Sequence, residues 1–99
     1  MNTYKVLNKK GKEIQSDVLL HPGDVLQMEL EAREIRKSDF ALQLQMRPSH
    51  FSELLHAKRN VSASVAIKLE NTLGISAEFW MRVQTSYDIK LERQKLQLV

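Results

Sequence analysis

The chain has 99 residues, of which 42% are hydrophobic and 27% are charged; this composition is ordinary for one soluble globular domain and excludes disorder as its global state. No apolar stretch reaches the ~18 residues of a membrane span, and residues 1–12 lack the apolar core of a secretory signal, so we expect a cytoplasmic protein without a membrane partner. The absence of cysteine excludes a disulfide scaffold and a thiolate metal site, and a net charge of +3 is too small by itself to identify a polyanionic partner.

The first twenty residues differ from the rest in charge and pattern. Four lysines lie within residues 1–12, and Gly11 stands in a polar run between two short apolar segments. This pattern is typical either of a short hairpin or of a mobile basic arm, and both remain open. The sequence therefore predicts an N-terminal arm or hairpin over residues 1–20.

A first helix is predicted to begin at the segment His21-Pro22-Gly23-Asp24. Proline suits the first helical position because its missing N–H would be unpaired there, and Asp24 meets the positive end of the helix dipole. Leu26 and Leu30 lie on one apolar stripe, and the helix is expected to run to about Glu34.

Two short helices follow, joined by a tight turn at Gln45 and Met46. The second helix has one apolar face, formed by Phe40, Ala41 and Leu44. The third helix restarts at Pro48 and repeats the spacing i, i+3, i+4 with Phe51, Leu54 and Leu55.

Two further helices complete the pattern. Ser62 or Ser64 caps a fourth helix that ends at Gly74, and Ser76 begins a fifth. The tail, residues 88–99, is amphipathic, and no strand pattern is evident after the N-terminal arm. The sequence therefore predicts an all-α bundle of five short helices, with a main domain over residues 21–87.

The second and third helices form a candidate helix-turn-helix. Two helices joined by so short a turn cross at a large angle, so the third helix docks its apolar face and turns its polar face outward, as a recognition helix in the major groove does. Residues 33–59 also carry six basic against three acidic groups. The side chains expected at base edges are Arg47, Ser49, His50, Ser52 and Glu53. The cations expected at phosphates are Lys37, Lys58 and Arg59.

Three stretches of the sequence together carry a family resemblance. They are the entry V-L-L-H-P-G-D (18–24), the segment F-S-E-L-L-H-A-K-R-N-V-S (51–62) and the segment A-I-K-L-E-N-T-L-G-I-S-A-E-F-W (66–80). With Gln84 and Tyr87-Asp88-Ile89, they resemble the HigA-type antitoxins, also called VapI-like plasmid-maintenance antidote proteins, of the lambda-repressor-like, Xre-type group. The resemblance implies a five-helix, lambda-repressor-like DNA-binding domain in a prokaryotic protein, associated with the nucleoid when it binds DNA. It also implies neutralisation of a HigB-like ribonuclease toxin and repression of the protein's own operon.

Four positions depart from the family pattern. Gln45 and Ala57 stand where the family has glycine, at apparent helix ends where a positive φ is expected. Arg47 replaces the usual serine or threonine cap of the recognition helix, which removes a side-chain cap worth ~1 kcal/mol. Lys37 stands where the wider group often has glutamine. These departures bear on the operator sequence more than on the fold.

A homodimer is expected because one recognition helix reads only a few base pairs, too few for tight specific binding. The fifth helix and the tail carry apolar residues beyond those that one small core can enclose. The residues expected at a dimer interface are Phe79, Trp80, Val83, Tyr87 and Leu91. The alternative is a tail that folds back over its own bundle.

No catalytic or metal-binding motif is evident, so we expect neither an enzyme nor a cofactor or metal requirement. His50 and His56 are six residues apart, about 240° around a helix, and cannot chelate one metal from one face. Two other functions remain open: a solitary Xre-type regulator without a toxin, and a helical protein-interaction module whose basic surface meets an acidic protein.

Overall fold

The computed structural model describes residues 19–97, which fold into five α-helices without a strand. The helices are α1 (Pro22–Ala32), α2 (Lys37–Gln43), α3 (Pro48–Leu55), α4 (Ala63–Leu73) and α5 (Ala77–Gln97). The all-α prediction is confirmed. The predicted arm or hairpin lies outside the described residues except for its last two. Within residues 19–97, no helix combines the length and the apolar character that crossing a membrane requires.

The entry to α1 is fixed by a reciprocal cap at His21. The ring Nδ1 accepts a hydrogen bond from the Gly23 N–H at 2.9 Å, and the Asp24 carboxylate accepts one from the His21 N–H at 3.0 Å. His21 is completely buried. This burial lowers the pKa of its imidazole, against the opposing influence of Asp24, Asn60 and Asp88. His21 is therefore a structural cap of α1.

Helix α1 ends at Ala32, two residues before the predicted end. Glu34 adopts a left-handed conformation, with a φ of 58°, and the Ile35 N–H donates to the Leu30 carbonyl at 2.9 Å. This bond pattern closes the helix because a residue in the left-handed region cannot continue it.

One hydrophobic core joins all five helices, and Trp80 lies at its centre with no exposed surface. Its indole Nε1 donates to the Ile75 carbonyl at 3.2 Å, so the polar atom is also satisfied within the chain. Trp80 therefore belongs to the core rather than to the predicted dimer interface. Twelve other apolar side chains are buried with it: Leu26, Leu30, Phe40, Ala41, Leu44, Phe51, Leu54, Leu55, Val61, Ala66, Leu69 and Leu73.

Helix α5 is continuous for 21 residues and carries residues 88–97 of the segment predicted as a separate tail. The predicted boundary between residues 87 and 88 falls inside this helix. Gln84 fixes α5 to the loop before α4: its Oε1 accepts from the Val61 N–H at 2.8 Å, and its Nε2 donates to Asn60 and Asp88 at 3.1 and 3.0 Å. Residues 88–97 thus extend a helix that its own core anchors.

Candidate nucleic-acid interface

The turn between α2 and α3 is closed by a left-handed residue at Gln45. Its φ is 57°. The Gln45 N–H donates to the Leu42 carbonyl, and the Met46 N–H donates to the Ala41 carbonyl, both at 3.0 Å. This pair of bonds is the Schellman ending, which normally has glycine at the left-handed position. The positive φ predicted at Gln45 is confirmed.

The end of α3 repeats this geometry at Ala57, whose φ is 63°. The Ala57 N–H donates to the Leu54 carbonyl at 3.3 Å, and the Lys58 N–H donates to the Glu53 carbonyl at 2.8 Å. The predicted positive φ is confirmed here as well. The left-handed residues that follow α2 and α3 therefore fix the backbone that carries the outward-facing side chains.

Helix α3 is held against the rest of the domain by its apolar face. Phe51, Leu54 and Leu55 are buried, and the Phe51 ring lies 5.9 Å from that of Phe40 on α2. The Gln27 side chain on α1 donates to the Leu55 carbonyl at 3.1 Å and so satisfies a carbonyl at the end of α3. The opposite face of α3 is thereby directed to solvent.

Lys68 on α4 satisfies a carbonyl at the end of α2 in the same way. Its Nζ donates to the Leu44 carbonyl at 3.2 Å, where a cation also meets the negative end of the helix dipole. Side-chain hydrogen bonds thus fix α2 to α4 and α3 to α1.

The outward face of α3 is a stripe at the spacing i, i+3, i+4, i+7. Its members are Ser49, Ser52, Glu53 and His56, of which Glu53 is partly shielded and the others are exposed. His50 lies at the flank of this stripe and is half-buried. We call Ser49, Ser52, Glu53 and His56 the α3 stripe; His50 is not a member.

His56 is a member of the stripe that was not among the predicted DNA-contacting residues. Its ring Nδ1 donates to the Ser52 carbonyl at 2.8 Å, so it also caps the end of α3. The signal that could have found it is the helical spacing from Ser49. Because the carbonyl requires a proton on Nδ1, the Nε2 atom of the neutral ring is left as an acceptor toward solvent.

Four predicted cations border the α2–turn–α3 unit, and all are exposed. Lys37 is the first residue of α2, and Arg47 precedes α3 as its N-cap residue without a side-chain capping bond. The missing cap agrees with the sequence prediction. Lys58 and Arg59 follow α3, and Arg59 is paired with Glu53, its Nη2 lying 2.8 Å from Oε1.

Residues 19–97 contain no group of three or more histidine or acidic side chains arranged to hold a metal ion.

Comparisons with known proteins identify the family. No protein-family model matches the sequence. Virulence-associated protein I of Dichelobacter nodosus is 31% identical over 81 residues, which cover 81% of this chain and 75% of that protein. An addiction module antidote protein of the HigA family from Coxiella burnetii has a similar structure, with a TM-score of 0.73 and 29% identity over 78% of this chain and 85% of that one.

A third relative was solved together with DNA. The Pseudomonas aeruginosa antitoxin HigA with the higBA promoter is similar at a TM-score of 0.74 and 28% identity, over 79% of this chain and 86% of that one. The matched structures are those of antitoxins rather than of enzymes. The chain therefore belongs to the HigA-type family of DNA-binding, helix-turn-helix antitoxins.

Proposed function

We propose that this antitoxin represses its own operon by binding a specific operator and that it neutralises a HigB-like ribonuclease toxin. The observation that carries the DNA-binding part is the α3 stripe, a polar helix face bordered by exposed cations at Lys37, Arg47 and Lys58. The B-DNA major groove, about 12 Å wide, admits one helix. A relative that was solved with its promoter supports the same use of this fold.

In this proposal the side chains divide into two groups. The outward face of α3 contacts base edges, with Arg47, Ser49, His50, Ser52 and Glu53 as the predicted readers. Lys37 and Lys58 contact phosphates and contribute affinity without sequence preference. Arg59 differs from the other cations, since its guanidinium is already engaged by Glu53.

We further propose that two copies pair through α5. The predicted interface residues Phe79, Val83, Tyr87 and Leu91 are only partly exposed, and Tyr87 packs edge-on against His21 at 4.8 Å. A neighbouring face of α5 is exposed except at Met81 and Lys90, which are partly buried. It consists of Glu78, Met81, Arg82, Thr85, Ser86, Ile89, Lys90 and Arg93.

An antiparallel pairing of two copies of this face forms one ion pair at each end. A two-fold axis between Thr85 and Ser86 places Glu78 opposite Arg93 of the partner subunit, and the reverse pair forms by symmetry. The small side chains at the centre allow close approach of the two helices, and Met81 and Ile89 supply apolar contact. We therefore propose this face, which Val83 borders, as the dimer contact. The predicted interface residue Leu91 lies about 190° away from the centre of this face, on the opposite side of α5.

The DNA proposal is tested by binding assays over a range of salt concentrations, using duplexes selected from a random library. Lys58→Ala should weaken binding to all sequences alike and reduce the slope of log affinity against log salt by about one. Arg47→Ala should reduce discrimination at one base pair by ~1–3 kcal/mol.

Lys95→Ala is the matched control, because it removes one exposed cation from the last turn of α5. It should leave sequence discrimination unchanged. Operator binding that is unaffected by both Lys58→Ala and Arg47→Ala would contradict the assigned surface. Binding that has no sequence preference would instead favour a protein-interaction module.

The toxin proposal is tested by co-expression. A neighbouring gene for a HigB-like protein should arrest growth when expressed alone, and this chain should restore growth. A chain with no such neighbour that still binds its own upstream DNA would be a solitary regulator.

A further inference from the structure

We propose that Glu53 reads the amino group of a cytosine and that Arg59 is the positioning residue that prepares its carboxylate. This inference rests on the proposed operator binding and adds to it a base identity and a role for Arg59. It begins from the place of Glu53 on the α3 stripe, where its side chain is 45% exposed.

The ion pair occupies only one of the two carboxylate oxygens. Arg59 Nε and Nη2 both donate to Oε1, at 3.1 and 2.8 Å. Among residues 19–97, no side chain or backbone group donates to Oε2. Glu53 therefore presents one oxygen that Arg59 fixes and a second that is left as an acceptor.

The backbone fixes the two partners relative to each other. The Lys58 N–H donates to the Glu53 carbonyl at 2.8 Å, within the left-handed ending of α3 at Ala57. Arg59 is the next residue, so the loop that carries the guanidinium is tied to the residue whose carboxylate it binds. The pair is consequently oriented before DNA arrives, which reduces the entropy lost on binding.

Charge explains why Glu53 needs a partner at a DNA surface. A free carboxylate near two phosphate backbones is repelled by them, and the adjacent guanidinium offsets that repulsion. Arg59 thus binds Glu53 rather than DNA, and it affects DNA binding by positioning the Glu53 carboxylate. This role differs from the direct phosphate contact expected from sequence.

An acceptor oxygen in the major groove selects a base that offers a donor. Only the N4 amino group of cytosine and the N6 amino group of adenine donate there. Adenine also presents the N7 acceptor beside its amino group, and a carboxylate has no proton to offer it, whereas guanine and thymine present acceptors to Glu53. Cytosine is therefore the base that fits.

The test is selection from a random-sequence duplex library, followed by affinity measurements on the selected duplex and its single base-pair variants. The wild-type chain should enrich cytosine at one position of each half-site, and replacing that base pair should lower affinity by about 5- to 150-fold. Glu53→Gln should change the enriched base at that position to adenine, since an amide can pair with both N6 and N7.

Arg59→Ala should reduce the preference at the same position and leave the preferences at the other positions intact, and Arg59→Lys should restore part of it. A merely structural role of Arg59 would not move one base preference by itself. Glu31→Gln is the control, because it makes the same carboxylate-to-amide change at an exposed site on α1. Its selected sequence should equal that of the wild type.

Two outcomes would overturn this inference while the proposed operator binding stands. One is a Glu53→Gln protein that enriches the same base as the wild type. The other is an Arg59→Ala protein that binds every duplex more weakly by one common factor, which would make Arg59 a phosphate contact. A wild-type chain that enriches no sequence would overturn the proposed operator binding as well.

Discussion

Replacing Gly23 by alanine should destabilise the fold more than replacing Gly74, the other glycine among residues 19–97. Gly23 lies in the first turn of α1, where the backbone approaches α3 closely. A Cβ at this position would lie 2.0 Å from the Leu54 carbonyl oxygen, 3.0 Å from the Leu54 carbonyl carbon and 3.1 Å from that of Leu55. Ordinary contact needs about 3.5 Å, so the first of these atoms would have to move by more than ~1 Å.

The magnitude follows from the nature of the obstructing atoms. They are backbone atoms of α3, and the Leu54 carbonyl already accepts the Ala57 N–H that closes this helix, so no side-chain rotation relieves the clash. Overpacking typically costs 1–3 kcal/mol and occasionally more, and we expect Gly23→Ala at or above about 3 kcal/mol. For a domain of 60–100 residues this corresponds to a fall in Tm of roughly 12–24 °C.

Thermal and urea unfolding would measure this loss, with Gly74→Ala as the matched control. Gly74 has a φ of 78°, and a Cβ there would meet nothing within 4 Å. This control therefore has the left-handed strain of an alanine, about 1 kcal/mol, without the clash. A Gly23→Ala protein as stable as the Gly74→Ala protein would refute the reasoning.

Three further predictions concern the helix end at Ala57, the buried cap at His21 and the α5 face. Ala57→Gly should raise the free energy of unfolding by ~0.5–1 kcal/mol, because it relieves a positive φ, whereas Ala32→Gly, at a right-handed helical position, should lower it; equal effects of the two would contradict this. Because burial lowers the pKa of His21, the unfolded chain binds more protons below about pH 6.5, so this contribution to stability is present above that pH and is lost as the pH falls. His21→Asn, which can still cap α1, should flatten the pH dependence of urea unfolding between about pH 7 and 5, and an unchanged slope would count against the assignment. Glu78→Arg should weaken dimerisation in sedimentation, and adding Arg93→Glu should restore it; a weakened dimer that the second change fails to restore would argue against antiparallel pairing.

Most of the secondary structure could be predicted from local signals. Pro48 marks the start of α3, Ser62 caps α4 by accepting the Val65 N–H at 3.2 Å, and Gly74 ends α4 in a left-handed conformation. Each signal acts within a few residues of the backbone it controls, so the linear order of the residues contains it. At Gln45 and Ala57 the positive φ was instead implied by the family resemblance, since the family has glycine at these helix ends.

The composition of the candidate interface was predictable in part. The residue types at the interface, and their place on the third helix, could be inferred from the short turn and from the apolar faces of the two helices that it joins. The pairing of Arg59 with Glu53 could not, because it depends on how the chain leaves α3 at Ala57. The place of His56 on the α3 stripe could have been found from its helical spacing to Ser49. The sequence alone does not show which anion a cation pairs with, because the pairing depends on the positions of the neighbouring side chains in space.

The sequence by itself determined five helices, the caps of α4 at Ser62 and Gly74, and an outward polar face on α3, since periodicity and capping are properties of neighbouring residues. Only the tertiary structure decided that Gly23 must lack a side chain, that Trp80 fills the core, and that residues 88–97 continue α5. These depend on contacts between segments far apart in the chain, such as α1 with the backbone of α3 and Gln84 with the loop at Asn60. Such contacts exist only after the helices have packed, because close packing rather than local preference selects which side chains are enclosed.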